Sequence, residues 1–389
     1  MKILISHFGV FMKSGWGRTF SLARGLSELG NDITLITTSP HFSLFIKRKI
    51  ISGVHIIIFP DIFHYKLTSK GFGGLSLLLK LIYVSQKKFD IVHSDSGHRP
   101  SSGWPCLLNR LIYRSKYVAE WWDFFGKGGQ LDNKPGLFKL LLGKFESWSE
   151  LNDKRKADGI VVLSGYMKSR AIMLGINDEK ITTVYGGADV SNIPLLKWAN
   201  KRIINIENDK LVFGYIGMSD GEVEDLDPFL SAISDFDDRV VFVSYGEKLS
   251  KEYKAKYNLQ NNFIEFGWID YSKDSALFEV VDVFVLIKKD NDINKAGWPN
   301  KLGDYLACGR PVLLTPYGDV KSFSKEYSEC FIQTTWSQKD IESRINDILQ
   351  GKFDLHKMGK FARKVAENNI SWSIKAQELE TFYYKLIKG

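Results

Sequence analysis

The pattern that most narrows the fold is an alternation of short apolar runs with stretches of helical period, and it runs through the chain twice. Residues 2–6 place Ile3, Leu4 and Ile5 in a row and read as a buried strand. Residues 19–29 then carry Phe20, Leu22, Ala23, Leu26 and Leu29 at helical spacing, and Gly30 stops the helix. Strands follow at 33–37, 54–59, 90–93, 116–120, 159–163 and 181–185, with helices at 75–84, 105–113, 137–151 and 166–174. Parallel neighbours require a crossover connection, so this alternation predicts a parallel sheet covered by helices. The period is lost over 193–210 and resumes at 211–216, with further strands at 240–244, 263–266, 281–286 and 312–315. The expected fold class is α/β: two Rossmann-like, doubly wound domains, 1–195 and 196–370, then a helix in 371–389. Open α/β sheets bind ligands beyond the carboxyl ends of their strands, so two such domains facing a central cleft would hold two substrates there.

A length of 389 residues suits two domains, and 44% hydrophobic with 25% charged residues gives each of them a core. Cys106, Cys308 and Cys330 form no CxxC pair, which excludes a disulfide scaffold and a four-cysteine zinc site and suits a reducing cytoplasm. The opening MKILISHFG enters a strand with no h-region or cleavage site, and no run approaches ~20 apolar residues, so a cytoplasmic protein without a membrane span is expected. The net charge of +8 is unevenly shared: residues 1–195 hold 26 Lys+Arg against 15 Asp+Glu, the remainder 27 against 30. No recognition module accompanies the basic half, so no nucleic-acid partner is expected.

Three loops after strands carry candidate chemistry. Ser14-Gly15-Trp16-Gly17-Arg18 opens the first helix; bare glycine backbone and a helix N-terminus suit an anion, though a tight turn alone would also explain it. The loop is not GxGxxG, which argues against a nicotinamide dinucleotide. Trp122 and Asp123 follow the strand at 116–120, where a carboxylate and an indole could meet a sugar or simply cap a turn. His93, His98 and Arg99 surround another strand end and could touch an acceptor or simply be loop polars; they lack the spacing of a metal site. The most specific stretch is Trp298-Pro299-Asn300-Lys301-Leu302-Gly303-Asp304-Tyr305-Leu306-Ala307-Cys308-Gly309-Arg310-Pro311-Val312. Pro299 suits N1 of a helix. Lys301 in the first turn opposes the helix dipole unless an anion binds there, and Asp304 lies one turn on. Lysine plus helix N-terminus suits a diphosphate, and the following carboxylate suits ribose hydroxyls.

That segment resembles the nucleotide-sugar signature of family-4-type glycosyltransferases with the GT-B fold. SGWGR, Ser164 with Lys168 and Gly175-Ile176, Gly186-Gly187-Ala188-Asp189, Phe213 to Gly217, Phe266-Gly267 and Trp372 resemble the family's other landmarks in order, over essentially the whole chain. The resemblance implies transfer of a sugar from a nucleotide diphosphate sugar to an acceptor hydroxyl, usually with retention, with no cofactor and no metal. It further implies a last helix crossing back to the N-domain. Carried over, Lys301 would contact the donor phosphates, Asp304 the ribose, Gly217 and Met218 the diphosphate, and Trp268 the base. Gly15 and Gly17 would meet the donor, with Arg18 as a supporting cation, and Asp123 would assist the reaction. Two departures stand out: Ala296 replaces a glutamate often found eight residues before the ribose carboxylate, and Ser219 to Asp225 is acidic where relatives place an arginine and a lysine. Carboxylates there would repel a diphosphate unless they point away.

The implied setting is cell-surface polysaccharide or lipid-linked glycan synthesis at the inner face of a membrane. The basic half suggests peripheral membrane contact through residues 66–84 or 137–148, where leucines and aromatics alternate with lysines; the same leucines could equally pack in the core. A GT-B nucleotide-sugar epimerase and a non-catalytic GT-B binding subunit are the alternative readings.

Overall fold

The computed structural model describes residues 1–389 except 14, 127, 128, 130, 132–135, 199–205, 208, 237, 238, 260, 261, 270–273 and 275, and describes 137–142 and 276 by backbone only. The chain divides into two compact units. Met1–Gly186, Lys295–Trp298 and Trp372–Gly389 form the first; Gly187–Asn294 and Pro299–Ser371 form the second. The first stretch thus ends at Gly186, nine residues before the boundary drawn at 195, and a four-residue insert returns to it late in the chain.

The first unit is built on β1 (Lys2–Val10), β2 (Asp32–Thr38), β3 (Lys47–Ile51), β4 (Val54–Phe59), β5 (Ile91–Ser94), β6 (Lys116–Trp121), β7 (Gly159–Val162) and β8 (Ile181–Thr183). Their order is β3-β4-β2-β1-β5-β6-β7-β8. Every pairing is parallel except β3 with β4. The central strands are apolar on both faces because helices cover both. Leu22, Ala23 and Leu26 of the helix Trp16–Glu28 seal one face together with Trp372, Ala376 and Leu379. Val84, Cys106, Met167 and Ala171 seal the other. Each leucine, valine or methionine among them contributes about 2 kcal/mol when fully buried. The helix Trp372–Lys388 belongs to this unit for a local reason. Gly25 has no Cβ, and one there would overlap Ala376, so the two helices close directly on each other. Asn31 Nδ2 then donates to Glu380 Oε1 at 2.6 Å, and Tyr383 hydrogen-bonds His93.

The second unit is a parallel sheet of β9 (Leu211–Met218), β10 (Val240–Gly246), β11 (Phe263–Gly267), β12 (Val283–Leu286), β13 (Val312–Leu314) and β14 (Phe331–Gln333). Its order, β11-β10-β9-β12-β13-β14, reverses direction between β9 and β12. The first sheet reverses between β1 and β5. Such reversals open a crevice at the carboxyl ends of the two strands. No described helix is long and apolar enough to cross a membrane.

Candidate functional site

On the second unit the crevice lies where β9 and β12 end. Gly217 bends the last residues of β9 at φ 79°, and Met218 beside it is buried. The helix Asn300–Ala307 starts here, with Pro299 at its N-cap, one position before the N1 place read from the sequence. Gly303 lets that helix press against Gly187, whose carbonyl a Cβ would overlap. Lys301 is thereby aimed at β9: its Nζ sits 2.6 Å from Tyr215 Oη, 4.0 Å from the centre of the Tyr215 ring and 3.2 Å from Glu222 Oε2. Lys288, just past β12, reaches the same Glu222 oxygen at 3.0 Å and Asp225 Oδ2 at 2.9 Å. Tyr215 Oη also donates to Glu222 Oε2. Three donors on different elements therefore converge on one carboxylate oxygen.

The acidic loop does not point away. Glu222 and Asp225 turn inward onto the lysines, so the expected repulsion is replaced by two lysines neutralised by two carboxylates. Burial alone would raise the Glu222 carboxyl, but Lys301 and Lys288 outweigh it and hold it down at about 2. Burial pushes Lys301 down to about 8, with Glu222 opposing the shift. Burial also weighs on Lys288, but Glu222 and Asp225 carry it above the ordinary lysine value. Asp304 is half-buried one turn beyond Lys301. Trp268, next to Gly267 at φ 74°, is 78% exposed, an indole free to cover a flat ring.

On the first unit the ends of β1, β5 and β6 bring Gly15, His93, Trp122 and Asp123 to one edge. Gly15 adopts φ 85°, and a Cβ on it would overlap the Trp122 ring, so glycine is needed for two reasons. Nothing crowds Gly17, and Ser14 lies outside the described residues. Asp123 is half-buried, and a Cβ on Gly297 would fall 3.1 Å from its Oδ1. The late insert Lys295–Trp298 is what brings Gly297 there. Ala296, in the place of the family's glutamate, is fully buried, and its carbonyl accepts from Ser164 Oγ at 2.7 Å.

Four of the expected ligand contacts are spent internally. Arg18 is buried; Nη2 donates to Glu120 Oε1 at 2.8 Å and to Val184 O at 2.9 Å, Nε to Glu120 at 3.2 Å and Nη1 to Tyr185 O at 3.0 Å. Its role is thus to hold Glu120, which corrects the expectation of a free cation. Glu120 in turn accepts from Trp122 Nε1 at 2.5 Å and lies 4.0 Å from His93 Nε2. His93 is buried against Tyr383, and burial lowers its pKa, keeping the ring neutral. His98 is buried, with Nδ1 3.3 Å from Ser96 Oγ and its ring on Phe125. Arg99 pairs with Glu146 at 2.5 Å and lies over the Phe72 ring. Of these groups, Arg18 and Glu120 form the scaffold that holds Trp122.

Two features escaped the sequence reading. Lys288 stands in a plain Lys-Lys-Asp run with no motif around it. The buried pair of His7 Nδ1 and Asp95 Oδ2, 2.5 Å apart, lies at the first sheet's reversal and ties Thr19 Oγ1 (2.8 Å), Phe8 N (2.9 Å) and Ser102 Oγ (3.1 Å) to one carboxylate. A histidine inside a first strand signals nothing by itself. Of the two proposed membrane segments, 66–84 contains Lys80, which is buried and donates to Ser101 O at 3.1 Å, so its charge does not reach the surface. In 137–148, residues 137–142 lie outside the described side chains, while Phe145 and Trp148 are exposed.

Residues 18–192 match Glycosyltransferase Family 4, and residues 197–365 match Glycosyl transferases group 1. A curated relative, an uncharacterized glycosyltransferase of Methanocaldococcus jannaschii, is 21% identical over 240 residues; the match spans 60% of each chain. Among solved structures, sucrose-phosphate synthase from Thermosynechococcus elongatus superposes with TM-score 0.76 at 16% identity, over 100% of this chain and 99% of that one. Anabaena HepE in complex with UDP-glucose gives 0.68 at 12%, over 99% and 100%. WaaG, a glycosyltransferase involved in lipopolysaccharide biosynthesis, gives 0.69 at 12%, over 100% of both. With a family 4 first half, a group 1 second half and the GT-B fold throughout, the chain belongs to the GT-B glycosyltransferases.

Proposed function

We propose that this enzyme moves a sugar from a nucleotide diphosphate sugar onto an acceptor hydroxyl with retention at the anomeric carbon, in cell-surface polysaccharide or lipid-linked glycan synthesis. The convergence of Tyr215, Lys288 and Lys301 on a single anionic oxygen at the second sheet's reversal carries this reading. A phosphate needs that arrangement of donors, and a helix N-terminus adds its dipole. In this reading Lys301 and Lys288 hold the donor phosphates, with Gly217 and Met218 beside them. Asp304 takes the ribose, Trp268 the base, and Pro299 sets the start of the helix. The solved structures of HepE with UDP and with UDP-glucose support a donor of this class. Charge grows on the diphosphate as the glycosidic bond breaks, and cations already aimed at it stabilise that state without a metal or cofactor. Asp123, held beside Gly297, assists at the sugar, and Gly15 and Gly17 offer bare backbone to the donor. The enzyme works at the cytoplasmic face of a membrane, docked peripherally through its basic first half.

Hydrolysis and calorimetric binding across UDP-, GDP-, dTDP- and ADP-sugars tests the reading. One donor should bind and be slowly hydrolysed. Lys301→Ala should weaken that binding about a hundredfold, near 3 kcal/mol, the scale of losing one partner of a hydrogen-bonded charge pair. Asp123→Ala should lower turnover by tenfold or more with binding retained. Wild-type turnover in both variants would sink the assignment.

A further inference from the structure

The loop between β2 and β3 carries an apolar run that the first unit's core does not absorb. Phe42, Leu44, Phe45 and Ile46 are 73, 64, 77 and 45% exposed, and Lys47, Arg48 and Lys49 follow them directly, all exposed. A folded protein seldom presents four large apolar side chains within five residues unless something covers them. A second loop joins them. β2 and β4 are parallel neighbours in which Thr38 pairs with Phe59, so the segments following both strands leave the sheet at the same edge. The second segment shows Ile62 and Phe63, 57 and 47% exposed, with Lys66 and Lys70 exposed beyond them. From residue 33 to residue 89 the chain has eight Lys+Arg and one acid, Asp61. Asp61 is buried, with Ser76 N and Phe63 N donating to its oxygens. No carboxylate of this stretch therefore screens the cations on the outside.

We propose that the two segments 39–49 and 61–70 form the surface by which this protein sits on an anionic lipid bilayer, the aromatic and aliphatic tips entering the headgroup layer and the basic residues lying on its phosphates. This names the partner surface for the peripheral docking in the proposed function and rests on that reading. Apolar tips backed by lysine and arginine are what an interfacial anchor requires. A second copy of the chain is the poorer occupant, since a two-fold contact would set this unscreened positive surface against itself. The loops lie at the carboxyl edge of the sheet that also carries Trp122 and Asp123, so a bilayer there would deliver an acceptor embedded in lipid to that edge.

The test is co-sedimentation of the full chain, without nucleotide, with vesicles of phosphatidylcholine alone or with one third phosphatidylglycerol. The protein should bind the anionic vesicles, more weakly as salt is raised. Phe42→Ser with Phe45→Ser, and separately Lys47→Gln with Arg48→Gln, should each weaken binding at least tenfold, with unchanged melting temperature and donor hydrolysis. If the wild type binds and both double variants bind equally well, the surface is wrong and peripheral docking stands. Should the wild type fail to bind anionic vesicles, both fall. A concentration-dependent dimer that Phe42→Ser with Phe45→Ser abolishes, in a protein that ignores vesicles, would assign the patch to self-association and overturn the proposal.

Discussion

Lys301 is held by a ring, a hydroxyl and a carboxylate, and that setting fixes how donor affinity should respond to pH. Its pKa of about 8 lies below the ordinary lysine value because burial penalises the ammonium. The charge is present below pH 8 and lost above it, so nucleoside diphosphate affinity should fall as pH rises through 8. Calorimetry from pH 6.5 to 9.5 reads this, and Lys301→Arg, always charged, should flatten the curve. In the proposed function Glu222 competes with the donor phosphate for Lys301 and Lys288, and its low pKa keeps it an anion across that range. Glu222→Gln removes one competing charge next to both lysines. Diphosphate affinity at pH 7 should then rise about tenfold, near 1.4 kcal/mol, the scale of one partly screened charge contact. An unchanged or weakened affinity would show that Glu222 serves only to hold the lysines. Only part of this site was legible in the sequence. Lys301 and Asp304 stand in a recognisable helix opening, but Glu222 read as a repulsive acid because its direction depends on Lys288, sixty-six residues away.

The glycines opening the helix Trp16–Glu28 show how one element separates structural from ligand-facing demands. Gly15 needs φ 85° and cannot carry a Cβ against Trp122. Gly15→Ala should destabilise the first unit by about 2 kcal/mol, a left-handed penalty plus a displaced indole. Gly17 lies inside the helix with open space around it, so Gly17→Ala should stabilise by about 0.5 kcal/mol. Thermal melts give both values, and a loss of donor affinity in Gly17→Ala alone would show that the bare backbone there faces a ligand. Among the strands, legibility followed burial. Val54–Phe59 was read to the residue because Ile56, Ile57, Ile58 and Phe59 run together and only the exposed His55 interrupts the apolar pattern. β1 was read only to Ser6, since His7 and Gly9 interrupt the apolar run; the structure carries it to Val10, which pairs with Thr38 after a shift of register. β3 was missed entirely, because an exposed antiparallel edge of sequence KRKII has no apolar signature.

Across the whole molecule, the two sheets were legible because each alternates strand and helix under the same crossover constraint. The division into units was less so, since Lys295–Trp298 joins the first unit through packing that no local pattern announces. The first unit also depends on the helix Trp372–Lys388, whose Trp372, Ala376 and Leu379 lie in the same core as Leu22 and Leu26. A chain truncated after Ser371 should therefore lose the first unit's unfolding transition in calorimetry while the second unit's is retained. Loss of both, or of neither, would contradict the division. The same dependence has a consequence for synthesis. A ribosome delivers the first strands early, yet Ala376 and Tyr383 are needed to close over them. The second unit's strands, all placed before residue 334, can pair while the older half still waits with an open apolar face. The part made first is among the last to be finished, and in that interval the nascent chain is most exposed to aggregation and most in need of a chaperone.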